Sequence, residues 1–192
     1  MTNSVIAMVP VRAGSTRVPN KNIRPFGDTS LLTLKLRVLK KIVGIAQIVV
    51  STDCEISAEI ANKEGAKVQW RNEYYAGSDI TNDLHWLHIA ETTPGDVVFF
   101  AHVTNPLLRV TSMQAALNIF LSLETHDSLN SVSAVKNFLW QDGQPINYEV
   151  NVTPKSQDLP DIVALNFAIN IIERRKMIER RNLVGSKPKF FE

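Results

Sequence analysis

The sequence predicts an α/β fold in three layers, with a mostly parallel sheet sandwiched between helices. Three observations lead there. Short apolar runs with β-branched residues recur along the chain, amphipathic stripes at helical spacing lie between them, and several runs are apolar on successive residues, as strands covered on both faces are.

The strand candidates are Val5 to Val9, Gln47 to Ser51, Val97 to Val103 and Ser131 to Val135, each bounded by polar or turn-forming residues. Leu32, Leu36, Leu39 and Ile42 form the first helical stripe, and Met113, Ala116, Leu117, Phe120 and Leu121 repeat it, so both should pack on the sheet. Glu55 to Glu64 reads as a helix closed by Gly65, and Asn82 to Glu91 as another ahead of the Pro94-Gly95 turn. Two stretches interrupt the alternation. Pro10 to Thr29 is a connection longer than compact α/β units use, and such loops tend to be functional. Asn137 to Asp161, with Gly143, Pro145, Pro154 and Pro160, reads as irregular or hairpin-like, a lid or a dimerisation arm. No repeat or linker divides the chain, so residues 1–192 are expected to form a single domain.

The chain has 192 residues, 44% of them hydrophobic and 21% charged, which suits a globular domain with a sizeable core. A formal net charge of +2 is too small to imply a nucleic-acid or membrane partner. The single cysteine, Cys54, excludes an intramolecular disulfide and a zinc cage built on cysteines, and points to a reducing compartment, with the cytoplasm as the default. Met1 to Pro10 lacks the pattern of a secretory signal, so a soluble, unexported protein is expected.

Charge clusters in the first loop. Pro10 to Asn22 carries Arg12, Arg17 and Lys21, Arg24 follows, and no acid appears before Asp28. In an open parallel sheet ligands bind beyond the carboxyl ends of strands, where this loop leaves the first strand. Gly14 permits close backbone approach, Ser15 and Thr16 offer hydroxyls, and exposed amides can form an anion-holding nest, so the loop suits polyphosphate. The Gly-Lys-Ser/Thr ending of a Walker loop and the three glycines of a dinucleotide fingerprint are both missing, which disfavours a P-loop kinase or a dinucleotide-dependent dehydrogenase. The competing reading is a solvated basic loop.

Other residues carry paired readings. His85 and His88, three apart on a helix, are either metal ligands or packing and surface residues; no HExxH pattern supports the metal. His102 ends a strand, where a site residue or a hydrogen-bonded core histidine would stand. Asp53 also ends a strand, as a site carboxylate or a helix cap. Glu173 to Arg181 is a basic helix face, solvated or facing an acidic partner. Trp70, Trp86 and Trp140 are too scattered for a base-stacking platform and are expected in core or interface.

The run from Val9 to Phe26, with Val50 to Asp53, Arg71, Gly77 to Asp79, Thr104 to Arg109 and Asn166 to Asn170 in the same order, resembles the acylneuraminate cytidylyltransferases, the CMP-sialic acid synthetases, and the related CMP-Kdo synthetases. The resemblance covers nearly the whole chain. It implies a nucleotidyltransferase-like, Rossmann-like domain, CTP in the first loop with a nonulosonic sugar acid beside it, and transfer of CMP to the sugar's anomeric hydroxyl with release of pyrophosphate. By matched position, Arg12, Lys21 and Asn22 would be catalytic. Val11, Arg12, Ala13, Gly14, Ser15, Arg17, Lys21, Asn22, Arg71 and Ser78 would bind the nucleotide, and His102, Asn105, Arg109 and Asn166 the sugar. The resemblance also implies a homodimer, and Mg²⁺ bridging triphosphate oxygens.

The chain departs from the family's pattern at several points. Family members usually carry Gln at the position of His102, Ser at that of Asn105, and Asn-Gly where Asn166-Phe167 stands. Their metal aspartates follow the region resembling Gly185 to Phe191, so the metal ligands here stay unassigned, with Asp53, Asp79 and Asp83 as open alternatives. A nucleotide- or sugar-binding relative without turnover and a Kdo-type acceptor are the competing expectations.

Overall fold

The computed structural model describes residues 3–14, 18–77 and 79–192. In chain order the strands are β1 (Val5–Pro10), a small hairpin of β2 (Pro25–Phe26) and β3 (Thr29–Ser30), β4 (Ile45–Thr52), β5 (Lys67–Trp70), β6 (Val97–Phe100), β7 (Ser128–Val135), a second hairpin of β8 (Trp140–Gln141) and β9 (Gln144–Pro145), β10 (Ile162–Glu173) and β11 (Pro188–Phe191). The helices are α1 (Leu31–Leu39), α2 (Glu55–Lys63), α3 (Glu73–Ala76), α4 (Asn82–Thr92), α5 (Val110–Ser122) and α6 (Arg174–Arg180), with one 3₁₀ turn at Ser156–Asp158.

Seven strands form the main sheet in the order β11-β7-β10-β6-β1-β4-β5. β1 runs parallel to both β4 and β6, β4 to β5 and β7 to β11, while β10 is antiparallel to β6 and β7. The expected α/β architecture with a mostly parallel sheet is therefore what forms. The period of two along β1 divides the core. Val5, Ala7 and Val9 join Leu32, Leu36, Leu39, Met113, Leu117 and Phe120 on the α1–α5 face, whereas Ile6 and Met8 join Ile89, Ala90 and Met177 on the α4–α6 face. The chain passes from β1 to β4 and β5 on one side and only then returns to β6 on the other. This leaves a topological switch point at the carboxyl ends of β1 and β6.

Local chemistry sets the element ends. Ser30 caps α1 by accepting from the Thr33 amide at 3.1 Å. Gly65, at φ +73°, turns the chain after α2 as expected. The strand expected to reach Val103 ends at Phe100, although Ala101 still donates to the Met8 carbonyl at 2.8 Å and Ala101 and Val103 stay buried. Leu121, expected on the packing stripe, is exposed. Trp70 and Trp140, expected in core or interface, are exposed on this chain, and only Trp86 packs against the α4–α6 core. The 137–161 stretch is irregular, as expected, with the β8–β9 hairpin and an isolated bridge between Glu149 and Val152.

Candidate functional site at the switch point

A cavity of about 580 Å³ opens at the switch point. One wall comes from the loop after β1 (Arg12, Lys21, Asn22), a second from the stretch between β5 and α4 together with α4 itself (Arg71, Tyr75, Gly77, His85), and a third from the connection after β6 and the turn in β10 (His102, Thr104, Phe167). Its size and mixed lining suit a small polar ligand.

The loop is held from two sides. Val11, fully buried, donates to the Ser51 carbonyl at 3.0 Å and accepts from Arg71 Nη2 at 3.1 Å, so its backbone is committed to the scaffold. The Ala13 amide donates to Asp53 Oδ1 at 2.8 Å. Asp53 is thus a brace for the loop, and the residue at the N-cap of α2 is Cys54. Gly14, at φ +70°, occupies the left-handed region that favours glycine. Further on, Ile23 and Arg24 donate to the Asn20 carbonyl at 3.0 and 2.8 Å, and Leu32 donates to the Asn22 carbonyl at 3.0 Å, which fastens the loop's end to α1. Ser15, Arg17 and Ser78, expected to bind nucleotide, lie outside the described residues.

The cations converge. Arg12 Nη1 donates to the carbonyls of Ala76 and Gly77 at 3.2 and 3.0 Å, which aims a fixed guanidinium along the cavity wall. Arg71 is buried, and its Nε has no partner among the described residues. Its pKa is lowered by burial first, partly restored by Asp53 and lowered again by Arg12, so the two guanidiniums repel each other. An anion between them would relieve both.

Burial keeps the site's histidines neutral at pH 7. His85 is pushed down to about 4, by burial and then by Arg71. His88 is lowered for the same two reasons and stacks on Tyr75, with ring centroids 3.8 Å apart. His102, edge-on to Phe100 at 4.9 Å, is lowered by burial and then by Lys35. Only His85 of the i, i+3 pair lines the cavity.

The remaining expected residues stand apart from the lining. The Asn105 carbonyl accepts from Lys35 Nζ at 3.2 Å. Arg109 is exposed at the N-cap of α5. Asn166 bonds Ser133 Oγ at 3.0 Å, the Ala168 amide at 3.1 Å, and the Ser131 hydroxyl. There it stabilises the turn at Phe167, whose φ is +53°. Sequence reasoning missed Lys35, Tyr75 and Phe167.

The magnesium expectation meets no ready-made donor set. Among the described residues no three His, Cys, Asp or Glu side chains gather as metal ligands. One Asp53 oxygen is taken by the Ala13 amide, and Asp83 is held low by Thr81 at the start of α4. No helix among the described residues is long and apolar enough to cross a membrane.

The family model described as Cytidylyltransferase matches residues 6–176. N-acylneuraminate cytidylyltransferase A of Danio rerio is 25% identical over 197 residues, covering 98% of this chain and 45% of that protein. The 3-deoxy-manno-octulosonate cytidylyltransferase of Acidobacterium capsulatum is 23% identical over 189 residues, covering 93% of this chain and 75% of that one. Among solved structures, a cytidylyltransferase from Leptospira borgpetersenii superposes with a TM-score of 0.54 at 29% identity, over 67% of this chain and 53% of that chain. The chain thus spans about half the length of the zebrafish enzyme and of the Leptospira protein.

Proposed function

This chain belongs to the cytidylyltransferase family, and on that premise we propose that it transfers CMP from CTP to the anomeric hydroxyl of a sialic acid-like nonulosonic acid. The hydroxyl oxygen forms a bond to the α-phosphorus, the bond from that phosphorus to the bridging oxygen breaks, and pyrophosphate leaves. The hydroxyl proton passes to water or a nearby base. Arg12, Lys21 and Asn22 are proposed as the residues that meet the transferring phosphates, with Arg71 on the nucleotide wall and His102 on the acceptor wall.

The observation that carries this reading is the convergence of Arg12, Lys21 and Arg71 on one cavity at the switch point. Nucleotidyl transfer asks little covalent chemistry of the protein and much positioning and charge neutralisation. A guanidinium already bonded to two carbonyls needs no reorganisation when charge develops on the phosphate. Incubation with CTP, a divalent cation and a panel of sugar acids should release pyrophosphate only with the matching acceptor. Silence with every acid would overturn the proposal.

Two further readings have support. A Kdo-type acceptor is favoured by the Acidobacterium relative, and the same panel decides between the acids. Binding without turnover is supported by Asp53, one of the candidate metal carboxylates, having an oxygen already engaged by the Ala13 amide. Calorimetric CTP binding with no pyrophosphate release would establish it. We also propose that residues 137–161 form a dimerisation arm, because Phe138, Trp140, Ile146, Val150 and Val152 all present exposed apolar surface. Light scattering at the mass of one chain would remove that assignment.

A further inference from the structure

Lys35 is an anomalous charge among the described residues. It lies in the buried stripe of α1, only 3% exposed, among Leu32, Leu36 and Leu39. A buried ammonium is costly unless paired, and it usually finds a carboxylate. Here the recorded partner among the described residues is a neutral one, the Asn105 carbonyl at 3.2 Å, and no ion pair forms. Burial lowers the Lys35 pKa to about 8, so most molecules still carry the charge at neutral pH. Its field is felt by His102, the residue lining the adjacent cavity wall.

The Asn105 carbonyl that it meets belongs to the connection between β6 and α5, the same connection that brings His102 and Thr104 to the cavity. A cation left without a counter-ion beneath a cavity wall creates positive potential there, and low surrounding dielectric lets it act over several ångströms without contact. The potential falls beside His102, which lines the cavity.

We propose that Lys35 is a specificity-determining residue that selects an acceptor bearing a carboxylate, by supplying the positive charge behind the cavity wall at His102 and Thr104. This rests on the cytidylyl-transfer reading for the acceptor's place in the cavity. The acid group of the acceptor supplies, at a distance, the negative charge that the folded chain does not place near Lys35.

Calorimetry in the presence of CTP tests this with N-acetylneuraminic acid and Kdo and with their methyl esters, on the wild type and on Lys35→Met. Methionine fills the apolar stripe without charge, and unchanged CTP binding reports an intact fold. The acid should bind the variant at least about tenfold more weakly, while ester binding stays within about twofold. At pH 8 acid binding should also draw a proton onto the wild type, seen as a dependence of heat on buffer ionisation, and the variant should show none. Equal weakening for acid and ester, or an unchanged variant, overturns the inference alone. A wild type that binds neither acid overturns the acceptor assignment together with it.

Discussion

The amide of Ala13 donates to Asp53 Oδ1 at 2.8 Å, so the end of β4 ties down the loop that leaves β1. A loop that must present several cations to one ligand gains from such an anchor, because the ordering entropy is met before the ligand arrives. Asp53→Ala should therefore raise the KM for CTP by roughly three- to tenfold with a smaller change in kcat. Asp53→Asn keeps an acceptor oxygen and should lie between the two. Steady-state kinetics over CTP concentration separates the parameters, and an unchanged KM in both variants would show that the anchor is idle.

Lys21 lines the cavity and its amide donates to the Val18 carbonyl at 3.2 Å, while its ammonium forms no ion pair among the described residues, so its charge is available to a ligand. Lys21→Ala should lower kcat/KM by about two orders of magnitude, the scale of losing one donor to developing negative charge. A loss confined to KM would instead mark Lys21 as a ground-state binder.

The histidines predict an acid limb of stability. His85 titrates near 4 in the folded chain against an ordinary value of 6.5. The unfolded chain therefore binds the proton more readily. The sign follows: stability is fully present above pH 6.5 and is lost as pH falls towards 4, by at most about 3 kcal/mol from this residue. His88 and His102 are lowered too and act in the same direction. Urea midpoints measured from pH 7.5 to 4.5 should fall, and His85→Leu should flatten part of that slope.

Gly185 is irreplaceable on steric grounds. A Cβ there would collide with the Asp127 carboxylate, which accepts from the Ser186 and Lys187 amides at 2.8 and 2.9 Å and so leads the chain into β11. Gly185→Ala should destabilise the fold by about 2 to 4 kcal/mol, read as a lowered denaturant midpoint. Wild-type stability in that variant would mean that the loop moves aside freely.

The sequence made parts of this molecule legible for identifiable reasons. β1 and β6 are apolar at every buried position because both faces are covered, and α1 and α5 show their stripes because only one face is. β10 was invisible as a strand because much of its first half is exposed and its register breaks between Leu165 and Asn170, which erases a clean period. β5 offers only four residues, and β11 is equally short. At the site, Arg12, Lys21, Asn22, Arg71 and His102 could be placed from the order of motifs. Phe167 could not, since its position depends on a turn set by Asn166. Lys35 did leave a signal, because it occupies the same stripe as Leu32, Leu36 and Leu39, where a lysine on a solvated face would not fall.

The outer halves of β7 and β10, Val132 to Val135 against Ile162 to Leu165, run in register up to the break before Asn170. Phe167 stands within that break and also forms part of the cavity wall. One aromatic residue thus belongs both to the interruption in the pairing and to the chamber's lining, so a substitution at Phe167 touches the two together.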